Sequence, residues 1–139
     1  MAAEQVRETL MQEALVQAAI DVRQRAYAKY SQFLVGAAVL AADGKIYTGC
    51  NVENSSYGLT ICAERAAVFN AIAAGQQQFQ LLAIATAGGG TPCGACRQVL
   101  AEFAPELPIL LIDVDRRNKI VEVNLGQLLP QAFVLNPEP

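Results

Sequence analysis

Leu81-Leu82-Ala83-Ile84-Ala85-Thr86-Ala87-Gly88-Gly89-Gly90-Thr91-Pro92-Cys93-Gly94-Ala95-Cys96 changes character twice within a few residues. Leu81 to Thr86 is a short, nearly continuous apolar run, the pattern of a strand covered on both faces. Three glycines break it. Thr91 then suits a helix N-cap and Pro92 the first helical position. Cys96, Val99, Leu100 and Phe103 share one face until Pro105 stops the helix. A strand buried on both sides and followed at once by a helix belongs to a sheet layered with helices.

The flanking sequence extends that pattern. Toward the N-terminus, Met11, Leu15, Ala19, Val22 and Ala26 recur at three- and four-residue steps, which predicts a helix from Val6 to Ala28. Phe33 to Leu40 and Lys45 to Cys50 are rich in strand formers and flank Asp43-Gly44, a pair suited to a tight hairpin turn. Asn51 to Thr60 reads as a loop. Cys62 to Ala74 has helix-forming composition and ends at Gly75, a residue fit for the left-handed C-terminal cap. Beyond Pro105, Ile109 to Asp113 is a second buried strand, Asp115 to Asn118 a turn, Lys119 to Val123 a strand and Leu125 to Leu129 a last helical turn. The order is αββαβαββ plus a short helix, an α/β fold with five strands. Repeats, linkers and low-complexity stretches are absent from the sequence, so residues 1–139 read as a single domain with one core.

Composition narrows the functional classes. Charged residues make up 17% and hydrophobic ones 53%, against about a quarter charged in ordinary globular domains, which predicts apolar surface facing another subunit. The net charge is -3 and the ten Lys and Arg are scattered, so the basic footprint of a nucleic-acid binder is missing. A small-molecule substrate fits better. The chain has no apolar run of about 18 residues and no basic, then apolar, N-terminal leader; a cytoplasmic location is the expectation.

Histidine is absent, which removes Ser-His-Asp and Cys-His catalysis and every imidazole metal site. Four cysteines in a reducing compartment point to metal or catalysis. Cys62, Cys93 and Cys96 sit at two predicted helix starts. Cys93 and Cys96, three apart, face the same way. Helix dipoles favour the thiolates that zinc requires. Three protein ligands leave the fourth tetrahedral position open, as in a catalytic zinc site. Glu64, two residues after Cys62, can reach that position without being a ligand, take a proton from water and return it to a leaving amine. A lone C-x-x-C fits a structural zinc half-site or a redox pair equally well. The ordered set of Cys62, Glu64, Cys93 and Cys96 is the signature of zinc nucleobase deaminases, with cysteine as the first ligand. Three thiolates on a divalent ion leave one net negative charge. Arg65 is the obvious donor to offset it, and Arg97, next to Cys96, the second candidate. Cys50 matches no ligand position and reads as packed in its strand.

Over nearly its whole length the chain resembles the small homotetrameric cytidine deaminases. The segments that carry the likeness are Ala26 to Ala38, Gly49 to Tyr57, Cys62-Ala63-Glu64-Arg65, Pro92 to Gln98, and Leu128-Leu129-Pro130 with Phe133. Lys29 stands where that family has proline before Tyr30-Ser31. The resemblance implies a three-layer fold with a mixed five-stranded sheet between helices, one zinc per chain, and deamination of cytidine and deoxycytidine in pyrimidine salvage. It also implies that Asn51 and Glu53 bond the ribose, Phe33 packs on the base, and the Ala63 amide and Thr91 carbonyl read the pyrimidine edge. Arg65 and Gln98 would moderate the thiolates, and the segment around Phe133 would reach an adjacent subunit's pocket. Asn51 and Glu53 are two apart at a strand end, so in extended chain both point to one side.

Three rival readings are open to the same motif. A blasticidin-type deaminase shares the zinc residues, and Glu53 argues against it. Deamination within nucleic acid is disfavoured by the charge. A purely structural zinc domain needs a fourth protein ligand that neither Cys50 nor any histidine is placed to supply. The alanines of the second helix, Ala63, Ala66, Ala67, Ala71 and Ala74, are small enough for close helix contact between subunits, or for packing on the sheet.

Overall fold

The computed structural model describes residues 2–136. Helix α1 (Ala2–Arg23) leads into strands β1 (Gly36–Ala41) and β2 (Ile46–Cys50), helix α2 (Ala63–Ala73), strand β3 (Phe79–Thr86), helix α3 (Gly94–Phe103), strands β4 (Pro108–Asp113) and β5 (Lys119–Asn124), and the short helix α4 (Leu125–Leu128). The strands form one sheet in the order β2-β1-β3-β4-β5. Only β3 and β4 run parallel, bridged by α3; the other neighbours are antiparallel.

Each central strand alternates between two cores, as the two-residue period of a strand requires. Ala37, Val39, Leu82, Ile84, Ile109 and Leu111 face α2, α3 and α4, burying Ala67, Val68, Leu100 and Leu125. Ala38, Leu40, Ala83, Ala85, Leu110 and Ile112 face Leu15 and Ala19 of α1. The result is the three-layer arrangement with a mixed sheet between helices. No helix among the described residues is long and apolar enough to cross a membrane.

Several element boundaries differ from the sequence expectation, each for a tertiary reason. The first helix stops at Arg23, five residues short of Ala28, because Tyr27 is drawn into a bridge with Val52 and the Arg23 guanidinium is spent on the Leu34 carbonyl. β1 begins at Gly36 and not at Phe33, since the Phe33 carbonyl and the Val35 amide bond to the Asn51 side chain and leave the ladder. Thr91 is not the cap of α3. Cys93 occupies that position, while the Thr91 hydroxyl and Pro92 carbonyl accept bonds from Arg97. Of the α2 alanines, Ala63, Ala67 and Ala71 are fully buried on the sheet, which leaves little of that stripe for contact between subunits.

The hairpin closes as its Asp-Gly pair dictates: Gly44 takes a left-handed φ of 83° and Asp43 accepts from the Lys45 amide. The turn at Lys29–Ser31 forms without proline, closed by the Gln32 amide on the Ala28 carbonyl at 2.8 Å, with the Lys29 ammonium over the Tyr30 ring.

Candidate active site

Sheet register decides where the chemistry gathers. Gly36 at the start of β1 pairs with Cys50 at the end of β2 and with Ala85 near the end of β3. The segments before β1, after β2 and after β3 therefore meet at one end of the sheet, and α2 and α3 both start there. A cleft of about 340 Å³ opens at this point, lined among others by Ser31, Phe33, Asn51, Glu53, Cys62, Ala63, Glu64, Thr91 and Cys93.

Cys62 is the N-cap of α2 and Cys93 the N-cap of α3; both backbones are extended there, and neither side chain caps its own helix. Their sulfurs are thus left free at the positive ends of two helix dipoles. The Cys62 and Cys93 Sγ atoms lie 3.7 Å apart, and those of Cys62, Cys93 and Cys96 all lie within 4.8 Å of one another. Sulfurs around a tetrahedral zinc at about 2.3 Å stand roughly 3.8 Å apart, so the cluster fits such an ion with little adjustment. The Cys62 thiol is drawn down to about 5, first by the Cys96 hydrogen bond and then, against its own burial, by Arg65 and Cys93. Cys96 is pushed up, first by its interaction with Cys62 and then by burial. All four cysteines are free thiols, and Cys50 is half-buried at the end of β2.

Glu64 is 5% exposed, and that burial raises its carboxyl above the ordinary 4.5, with the Cys62 charge adding to the shift. Arg65 Nη2 donates to Cys62 Sγ at 3.3 Å, the contact sought for charge compensation. Arg97 makes no such contact. Its guanidinium bonds the Pro92 and Leu128 carbonyls and the Thr91 hydroxyl, which braces the strap before α3. Gln98 Nε2 sits on the Phe133 carbonyl at 2.9 Å rather than on a sulfur.

Asn51 and Glu53 are buried while Val52 between them is exposed. Val52 is bridged to Tyr27 on one side and Ile61 on the other, and this extended pairing turns its two neighbours to the same side. Neither side chain is idle. Asn51 accepts from the Val35 amide and donates to the Phe33 carbonyl. Glu53 accepts from the Tyr30 and Ser31 amides and from the Ser31 hydroxyl.

Residues 10–110 match the family described as the cytidine and deoxycytidylate deaminase zinc-binding region. The chain belongs to that deaminase family. A cytidine deaminase of Sporosarcina psychrophila is 48% identical over 124 residues, covering 87% of this chain and 90% of the relative. The crystal structure of cytidine deaminase from Burkholderia pseudomallei superposes with a TM-score of 0.81 at 47% identity, over 87% of this chain and 98% of that one. That from Mycobacterium tuberculosis gives 0.75 at 44%, over 89% and 98%.

Of the residues singled out in the sequence, the structure brings Phe33, Asn51, Glu53, Cys62, Ala63, Glu64, Thr91 and Cys93 to one cleft, with Cys96 completing the sulfur cluster and Arg65 on the Cys62 sulfur. The sequence assigned no role to Ser31, Tyr57, Thr60, Ile84 or Thr86, which also line the cleft. No spacing marks them. Ser31 and Tyr57 fall inside the segments of family likeness, and that is the one signal the sequence holds for them.

Proposed function

We propose that the chain hydrolyses the 4-amino group of cytidine and deoxycytidine, giving uridine or deoxyuridine and ammonia, as a step of pyrimidine salvage. The observation that carries this reading is the meeting of a buried carboxyl, Glu64, with the Cys62 and Cys93 sulfurs and the polar pair Asn51 and Glu53 on one small cleft. Cys62, Cys93 and Cys96 would hold one zinc, which when bound supplies Lewis-acid activation of water at neutral pH.

The chain's own groups do the rest. Glu64 passes one proton of the attacking water to ring N3 as the C4–O bond forms and the remaining hydroxyl proton to the 4-amino group as the C4–N bond breaks. One water proton thus ends on N3 of the uracil ring and the other leaves in neutral ammonia. A carboxyl whose burial favours the protonated form suits that shuttle. Arg65 offsets the excess negative charge of the thiolates. Phe33 packs on the base, while the Ala63 amide and Thr91 carbonyl read the pyrimidine edge. After their bonds to the framework, Asn51 keeps an N–H and a lone pair, and Glu53 Oε2 keeps a lone pair, for the hydroxyls of the sugar. Among the described residues lining the cleft there is no Lys or Arg, so a phosphate would meet carboxylates and thiolates without a counter-charge. This favours nucleosides over nucleotides.

The same reading takes the chain as one domain working as a cytoplasmic homotetramer. Free thiols suit a reducing compartment. Phe133, Val134 and Leu135 are 69%, 59% and 77% exposed, an apolar tail suited to a neighbour's pocket while Gln98 holds its backbone. Ammonia release and the ultraviolet change on cytidine, deoxycytidine and cytosine test the activity; turnover of cytosine as efficient as that of cytidine would refute the nucleoside assignment. Light scattering tests the assembly, and a fully active monomer would exclude a shared site.

A further inference from the structure

We propose that Ser31 is a positioning residue for nucleoside binding, its hydroxyl tying the Glu53 carboxylate and the Phe33 backbone into one unit. The proposal rests on the reading above that Glu53 takes the sugar and Phe33 the base.

Ser31 belongs to an exposed turn and by composition is an ordinary turn residue. Its bonds go further than a turn needs. A serine hydroxyl has one proton and two lone pairs. The proton goes to Glu53 Oε2, and a lone pair takes the Phe33 amide at 3.0 Å. The second of these is the local serine turn; the first reaches across more than twenty residues to another segment. Glu53 Oε1 accepts the Ser31 and Tyr30 amides at 3.1 and 2.9 Å, so the carboxylate is held at both oxygens by the same turn.

The other end of Phe33 is fixed as well. Its carbonyl accepts from Asn51 Nδ2 at 2.8 Å, and Asn51 is two residues from Glu53. Glu53, Ser31, Phe33 and Asn51 thus close a circuit in which the groups assigned to sugar and base cannot move separately. Gln32, between Ser31 and Phe33, has φ 58°, a left-handed value that a non-glycine residue adopts at a cost. The circuit holds it there. With the Ser31 hydroxyl as the first cause, Glu53 lies below the ordinary carboxylate range and stays an acceptor for hydroxyl donors.

Cytidine kinetics and the competitive inhibition constant of uridine provide the test, measured on Ser31→Ala, Ser31→Thr, Glu53→Ala and the Ser31→Ala/Glu53→Ala double variant. Loss of a hydrogen bond to a charged group is worth about tenfold to a hundredfold. Ser31→Ala should raise KM for cytidine and the uridine constant by about that factor, with the smaller share of the change in kcat. Ser31→Thr, which keeps the hydroxyl, should recover most of it. The double variant should bind no worse than Glu53→Ala, because Ser31 acts through that carboxylate. If Ser31→Ala does not fold, Ser31→Cys, similar in shape and a weak donor, takes its place. Wild-type KM in a folded Ser31→Ala protein beside a defective Glu53→Ala overturns the proposal and leaves the sugar reading standing. Wild-type binding in Glu53→Ala overturns both.

Discussion

A methyl group added at Gly49 should displace the helix that carries Glu64. An ideal Cβ there falls 2.3 Å from the Ala67 amide nitrogen, 2.7 Å from the Ala63 carbonyl oxygen and 2.7 Å from the Ala66 carbonyl carbon, where ordinary contact begins at 3.4 Å. All three are backbone atoms of α2, so no change of rotamer relieves the clash. β2 is held against displacement by its ladder with β1, where Gly49 pairs with Ala37 next to the terminal Gly36–Cys50 pair. The helix must therefore move by roughly 1 Å, and overpacking of this kind costs about 1–3 kcal/mol. Cys62 stands at the N-cap position of α2 and Glu64 lies in its first turn. A misplacement of about 1 Å at a reacting group costs about a hundredfold in rate. Gly49→Ala should lower the urea midpoint by that stability and turnover by that factor. Gly58→Ala is the control, since its Cβ meets nothing within 4 Å; it should change stability by less than about 0.5 kcal/mol. A Gly49→Ala protein matching wild type in both midpoint and turnover would refute the close-packing argument.

Other consequences are equally direct. Glu64→Gln should keep the fold and zinc while losing about a hundredfold to ten-thousandfold in turnover, checked by metal analysis beside steady-state kinetics. Cys93→Ala should lose zinc and Cys50→Ala should retain both zinc and activity; full zinc in the first would remove the proposed ligand set. Glu53→Ala should bring the efficiency on cytidine nearer to that on cytosine, since a site built for sugar hydroxyls is left with unpaired groups. An unchanged ratio would mean that the sugar is read elsewhere. The Glu53 carboxyl is lower in the folded chain than its ordinary 4.5, chiefly through the Ser31 hydroxyl. Its contribution to stability is therefore complete above the ordinary value and is lost as pH falls through the lowered one. Ser31→Ala should flatten that acid-side loss, as read from unfolding midpoints on acidification; an unaltered pH slope would count against the bond.

The chemistry of the site was written locally. Cys62, Glu64 and Arg65 belong to one helix start, Cys93 and Cys96 to another, and a spacing of two to four residues on a helix is a geometric statement that needs no tertiary information. The two buried strands and the Asp43-Gly44 reversal were legible for the same reason, since strand periodicity and turn conformation are properties of short segments. Tertiary structure alone decided what those segments meet. Cys62 reaches Cys93 because sheet register brings the ends of β2 and β3 together, and the order β2-β1-β3-β4-β5 depends on pairings between distant residues. The same long-range bonds moved the boundaries. Tyr27 left the helical repeat for Val52, and Phe33 to Val35 left the strand for the Asn51 side chain. Arg97 lies beside Cys96 in sequence yet turns to Thr91, Pro92 and Leu128, while Ser31 carries no periodic signal and gains its contacts from Glu53. Helix and strand patterns record which face of a segment avoids water. Which segment covers that face, and which buried donor finds which acceptor, is settled only when the whole core closes.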